Sequence, residues 1–381
     1  MPHARKRLAL SRLQKKLAFF PVVAIQGARQ TGKSFLAREF LTGVSYQSFD
    51  HATVAAEASR APHTFLTDHG SSGLLVIDEA QKVPGIFDAI KFEVDQERRP
   101  GRFLLLGSTE FSRLTRIRES LTGRMGRIRL FPLTLAETIG LESLPAQFRR
   151  KQTLDYLAHG GMPGLFAVRD EEEREALVQD WLDLTCYRDL QQFKDHKLDG
   201  DLAFEILKLS ATLEEPTRAA MTKSLRADPR RIETHLKALC ALFALQRINP
   251  HPSGTGKPIY LLLDAGIAEF LGASRLRRLH IWLMIERMAK NSYNREKRKS
   301  FTYYRSSGKK MIHWVEEGID QNPRAFQLMD EERIRKIDAA LMEAFLVKNP
   351  SAAGTILAPI PAQQKIGKSQ FLPWEELPHL K

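Results

Sequence analysis

Cysteine is nearly absent: Cys186 and Cys240, far apart, are the only two. Two isolated thiols make neither a disulfide framework nor a zinc pattern, and they imply no catalytic thiol. A reducing, cytoplasmic setting is expected. Long apolar runs are missing too. None approaches the roughly 20 residues that cross a bilayer, so no membrane partner is expected. The opening "MPHARKRLALSRLQKKLAFFPVVAIQGA" imitates a signal peptide, but Pro21 interrupts its apolar part, which runs straight into a glycine turn and reads as a strand. Internal repeats and low-complexity tracts are lacking. Acid is scarce, with 45 acidic residues against 58 basic ones, a net charge of +13. Such an excess favours polyanions, nucleic acid first. It is uneven: residues 1–20 hold Arg5, Lys6, Arg7, Arg12, Lys15 and Lys16 and no acid, and residues 275–305 hold ten Lys or Arg against Glu286 and Glu296.

What is present falls into segments. At 381 residues the chain exceeds one small core. In residues 1–140, short wholly apolar runs alternate with helical patterns, predicting an α/β parallel-sheet domain with both faces covered. "VVAIQG", "YQSFD", "LLVIDEA" and "RFLLLGST" read as strands, and "SFLAREFL" as a helix. Residues 141–200 are helical, a lid-like region punctuated by "GGMPG". Residues 201–275 read as three helices and a turn-rich hairpin, the order of a winged helix, with Ile232, Leu236, Leu239 and Phe243 on one face of the third helix. Residues 276–381 are mixed and basic, and the proline-bearing tail "FLPWEELPHLK" is expected to be loosely ordered.

The chemistry sits early. "GARQTGKS" fits the P-loop pattern: Gly27, four residues (Ala28, Arg29, Gln30, Thr31), then Gly32, Lys33 and Ser34. The glycines let backbone N–H groups turn toward phosphates, Lys33 neutralises the β- and γ-phosphates, and the Ser34 hydroxyl ligates Mg²⁺. A helix beginning there adds the positive end of its dipole. In "LLVIDEA" a buried strand ends in two carboxylates, which is costly unless they work at its tip. Asp78 is assigned to Mg²⁺, and Glu79 to orienting and deprotonating the attacking water. ATP and Mg²⁺ are therefore the expected ligands. "RLTRIRESLTGRMGRIRL" offers arginines for the charge that builds up during phosphoryl transfer, in cis or from a neighbouring copy. "PSGTGKP" lacks the P-loop spacing and reads as turn chemistry.

With these residues the chain resembles a group of bacterial and archaeal AAA-superfamily ATPases. "VVAIQGARQTGKSFL", "LLVIDEAQKVPGIFDAIK", "RFLLLGSTEFSRL", "ESLTGRMGRIRLFPLTLAE" and "GGMPG" carry the resemblance, over residues 15–140 most clearly. It implies ATP binding at Gly27–Ser34, a Walker B pair at Asp78 and Glu79, Arg124 as arginine finger with Arg118 second, a winged helix, and a restriction-endonuclease-like last domain. Two departures stand out. Leu106 replaces the usual polar sensor, leaving Ser108 or Thr109 to serve, which favours slow turnover. In the last domain Glu286 matches a nuclease glutamate, but Met311, Ile312 and His313, then Gln327 and Met329, stand where further acids and a lysine belong. Without hard oxygen ligands no nuclease activity is expected. His313 beside Trp314 reads as a packing residue.

The expected protein is thus a P-loop NTPase domain (1–140), a helical lid (141–200), a winged helix (201–275) and a small α+β degenerate nuclease-like domain (276–381). Its function would be a slow Mg-dependent ATPase switch coupled to DNA through Lys223, Arg226, Arg230, Arg231, Lys237 and the basic segment 275–305. A finger acting in trans would require a homo-oligomer. The competing reading is a signalling ATPase or protein-interaction scaffold that binds no nucleic acid.

Overall fold

The computed structural model describes residues 5–379 except 72, 112–120, 122, 139–145, 194–197, 295–298, 307–309 and 320. They form two compact units: residues 1–133 with 241–243 and 292–294, and residues 134–240, 244–291 and 295–381.

The first unit opens with helix α1 (Ala9–Leu17), then alternates β1 (Val22–Gln26), α2 (Lys33–Phe40), β2 (Ser45–Ser48), α3 (Ala52–Arg60), α4 (Pro62–Gly70), β3 (Leu75–Asp78), α5 (Gly85–Gln96), β4 (Phe103–Gly107) and β5 (Met125–Arg129). Among the described residues these strands make one parallel sheet in the order β2-β3-β4-β1-β5. Every residue of β1 and β4 is buried, as apolar runs covered on both faces should be. Val22, Ala24, Leu75, Ile77, Phe103 and Leu105 pack with Phe65, Ile86, Phe87 and Ile90 in one core. Each large side chain so buried contributes roughly 1.5–3 kcal/mol. The four strands read from the sequence are β1–β4. β5 was not read, because "MGRIR" alternates buried Gly126 and Ile128 with exposed Arg127 and hides its apolar character.

The second unit begins with helices, including Ala146–His159 and Glu171–Asp183. Next come Gly200–Thr212, Arg218–Leu225 and Pro229–Ala241, then the antiparallel hairpin β6 (Leu245–Pro250) and β7 (Ile259–Leu262). Asp228 caps the third of these helices by accepting from Arg230 N at 2.6 Å, with Pro229 in the first turn. The helix Arg275–Tyr293 leads to β8 (Lys299–Arg305), β9 (Met311–Gly318), β10 (Gln321–Leu328), β11 (Ala353–Ala358), β12 (Gln364–Ile366) and β13 (Ser369–Pro373). The hairpin does not stand apart from these later strands. β6 pairs with β8 at Asn249–Thr302 and Pro250–Tyr303, so one eight-stranded sheet runs β12-β13-β11-β10-β9-β8-β6-β7 among the described residues. The tail expected to be loose is ordered in its described residues, up to 379. β13 pairs with β11, Phe371 and Trp374 are buried, and Trp374 Nε1 donates to the Met329 carbonyl at 3.0 Å. Pro373 ends its strand, where a missing N–H costs little.

The basic run 275–305 also differs from expectation. Seven of its cations are described, and all are engaged within the protein. Arg275 pairs with Asp330, Arg278 with Glu269, Lys290 with Glu286, and Arg305 with Glu215. Arg287 and Lys299 share the buried Glu316. Arg277 donates to the Leu213 and Glu214 carbonyls. Apart from Glu286, the acids come from other elements, which a charge count along the run does not register.

Candidate nucleotide site

Gln26 ends β1 and Lys33 begins α2, so residues 27–32 form a loop between a buried strand and a helix N-terminus. Gly27 has no room for a side chain, since a Cβ would lie 2.2 Å from the Leu130 carbonyl oxygen. Gly32 enters the helix at φ 89°, a left-handed conformation that favours glycine. Thr31 Oγ1 closes the turn on the Ala28 carbonyl at 2.9 Å, while Gln30 at φ 61° is exposed and Arg29 half-buried. Lys33 is buried, and its ammonium donates back to the Gly27 and Ala28 carbonyls at 3.0 and 2.9 Å.

β3 delivers the two acids. Ser34 Oγ donates to Asp78 Oδ2 at 2.6 Å, bringing the residues chosen for Mg²⁺ together across 44 positions of sequence. Their hard oxygens suit Mg²⁺, which takes one or two carboxylates and completes its shell with water and phosphate. Glu79 follows at φ 53°, its N–H bonded to Asp78 Oδ1 at 3.0 Å. Its carboxylate accepts from Ser108 Oγ at 3.1 Å and from Gln81 Nε2. Ser108, raised as a substitute sensor just past Leu106, thus touches the catalytic candidate, whereas Thr109 offers its carbonyl to Gln26 Nε2 at 2.9 Å.

Arg124 lies in a fork with Asp95, Nε–Oδ1 2.6 Å and Nη2–Oδ2 3.0 Å. Arg118 lies outside the described residues. Of the nuclease positions, Glu286 is buried, accepts from Leu135 N at 2.8 Å and pairs with Lys290; burial pushes its carboxyl upward. His313 and Gln327 sit on neighbouring strands β9 and β10 and line a cavity that does not include Glu286.

Two contributors escaped the sequence. Tyr46 on β2 donates its hydroxyl to Asp78 Oδ2, the oxygen that Ser34 also meets. Burial first, and then this bond, push the phenol up to about 12. Arg7 is buried and donates to the Thr31 and Phe131 carbonyls, each at 2.7 Å, tying the loop to the chain beyond β5. Neither lies at a fixed spacing from the P-loop, so only the fold reveals them.

Residues 20–139 match the AAA domain family. The cradle and this match support ATPase activity. An uncharacterized protein of Mycobacterium tuberculosis, and one of Mycobacterium bovis, are each 33% identical over 187 residues, 49% of this chain and 40% of theirs. The chain therefore spans well under two thirds of the length of these curated relatives. Among solved structures, a Walker-type ATPase of Pyrococcus abyssi has a TM-score of 0.46 at 14% identity, over 69% of this chain and 94% of that one. The RuvB Holliday junction branch migration motor of Thermotoga maritima has a TM-score of 0.31 at 17% identity, over 66% and 88%.

Proposed function

We propose that this chain is a Mg-dependent ATPase working as a slow switch coupled to DNA. The observation that carries the reading is the 2.6 Å contact between Ser34 Oγ and Asp78 Oδ2 at the end of the glycine loop. The Lys33 ammonium, which donates to the Gly27 and Ala28 carbonyls, would turn to the β- and γ-phosphates of ATP. Residues 27–34 supply the N–H groups that cradle them. Ser34 and Asp78 would hold Mg²⁺, which when bound offsets phosphate charge. Glu79 orients and deprotonates the attacking water. Its two donors, Ser108 and Gln81, hold the carboxylate in place. Arg124 would serve as arginine finger after leaving Asp95, an exposed pair worth about 1 kcal/mol at most. If it acts in trans, a homo-oligomer follows.

For DNA, Lys223, Arg226, Arg230, Arg231 and Lys237 are all exposed around the start of the helix Pro229–Ala241. Three helices followed by a hairpin support a winged helix, the last strands a nuclease-like domain without its metal ligands. One observation favours the scaffold reading instead: Arg231 pairs with Asp199 and Lys237 with Glu233. Steady-state ATP hydrolysis by the wild type and Glu79→Gln, each with and without duplex DNA, tests both. Loss in the variant with stimulation by DNA supports the switch. Loss without stimulation moves the output to a protein partner. Equal hydrolysis by the two proteins removes Glu79 from the chemistry.

A further inference from the structure

The second unit contains a cavity of about 460 Å³, a size typical of small-molecule sites, between the start of the helix Arg275–Tyr293 and strands β9 and β10. Its walls mix Leu276, Met311 and Met329 with the polar side chains of His280, His313 and Gln327. Gln327 is 5% exposed, and its carboxamide oxygen has no hydrogen-bond partner among the described residues. A buried carbonyl left unpaired costs roughly 1–3 kcal/mol, so its presence in a cavity wall points to a donor arriving from outside.

The imidazoles have defined tautomers. His280 Nε2 faces the His313 carbonyl at 3.1 Å and must donate, leaving its Nδ1 an acceptor. His313 Nδ1 accepts from Leu328 N at 3.0 Å, leaving its Nε2 an N–H donor. Burial, and the Arg277 guanidinium, hold both rings neutral, with His313 pushed down to about 3. A metal is disfavoured, because no cluster of three His, Cys, Asp or Glu occurs among the described residues. The walls also carry Arg277 and Lys310, but Arg277 donates to the Leu213 and Glu214 carbonyls and Lys310 pairs with Asp338. The four acids Glu214, Asp330, Glu331 and Asp338 outnumber them, which disfavours a phosphate. What the wall asks for is a neutral molecule that brings a donor to the Gln327 carboxamide oxygen.

We propose that this cavity binds a nucleobase with an amino group beside a ring nitrogen, adenine above all. A carboxamide meets adenine bidentately, its oxygen taking the amino proton and its N–H₂ reaching the ring nitrogen. Leu276, Met311 and Met329 offer apolar contact to the base faces. The same base could come free, as a nucleoside, or from an unpaired position in a strand.

Calorimetry on the full chain tests this with adenosine, guanosine and a short single-stranded oligo(dA), repeated on Lys33→Ala and Gln327→Leu. Adenosine carries no phosphate for the cradle, so its binding should survive Lys33→Ala and fall at least tenfold in Gln327→Leu. The Gln327→Leu protein should unfold at the same temperature or higher, since a buried unpaired carbonyl has been removed. Binding of oligo(dA) alone, with the same Gln327 dependence, would identify a strand as the source. Failure of both adenine ligands to bind the wild type, binding indifferent to Gln327→Leu, binding abolished by Lys33→Ala, or equal binding of guanosine would each overturn it.

Discussion

Gly27→Ala separates two demands on the first glycine of the loop. Phosphate binding requires a bare backbone there, and so does the protein itself. An added methyl would lie 2.2 Å from the Leu130 carbonyl oxygen and 3.2 Å from Thr31 Oγ1, where ordinary contact begins near 3.4 Å. The obstacle is backbone, so β1 and the chain leaving β5 must part by about 1 Å. That movement strains the 2.7 Å bond from Leu130 N to the Gln26 carbonyl, worth about 1 kcal/mol. Forced backbone displacement adds roughly 1–3 kcal/mol, for a total of about 2–4 kcal/mol. Urea unfolding should be followed by far-UV circular dichroism, because all four tryptophans belong to the second unit. The expected result is a lower midpoint without nucleotide, together with lost ATP binding. A wild-type midpoint with lost ATP binding would refute the steric reasoning and leave the glycine a purely ligand-driven choice.

Tyr46→Phe should raise the Mg²⁺ concentration for half-maximal hydrolysis several-fold with little loss of stability, because Asp78 loses one of its two hydroxyl donors; a magnesium titration at saturating ATP reads this. The stability of the second unit should fall in acid. His280 and His313 bind no proton when folded but do so unfolded near 6.5, so each costs up to tenfold in the folding constant per pH unit below that value. Tryptophan fluorescence during urea unfolding at pH 7, 6 and 5 measures the slope, and His313→Asn should flatten it.

Strands β1, β3 and β4 were legible because apolar runs ended in a glycine or an acid, a combination that covered parallel strands with work at their tips support; β2 is more polar and only partly buried. β5 was not, since an edge strand with arginine on its open side has no such signature. The loop was read from its spacing and the two acids from the apolar strand that they end, while the contacts with Tyr46, Ser108 and Gln81 depend on strand neighbours that sequence distance does not encode. In the run 275–305 the sequence shows the cations but not the partners of the described ones: Glu215, Glu269, Glu316 and Asp330 come from elsewhere. The closing prolines suggested a slack end, yet Phe371 is among the most deeply buried side chains.

The junction between β6 and β8 matters for anyone dividing the protein. A chain stopped after residue 275 would keep three helices and a hairpin, but β6 would then end in an open rim at Asn249 and Pro250. The bonds from His251 N to Tyr303 O and from Thr255 N to Arg305 O would go with it. Unpaired strand rims recruit other strands, so such a fragment is a candidate for self-association even where the whole chain stays dispersed. A clean excision would have to carry the sheet along, or blunt that rim with charge.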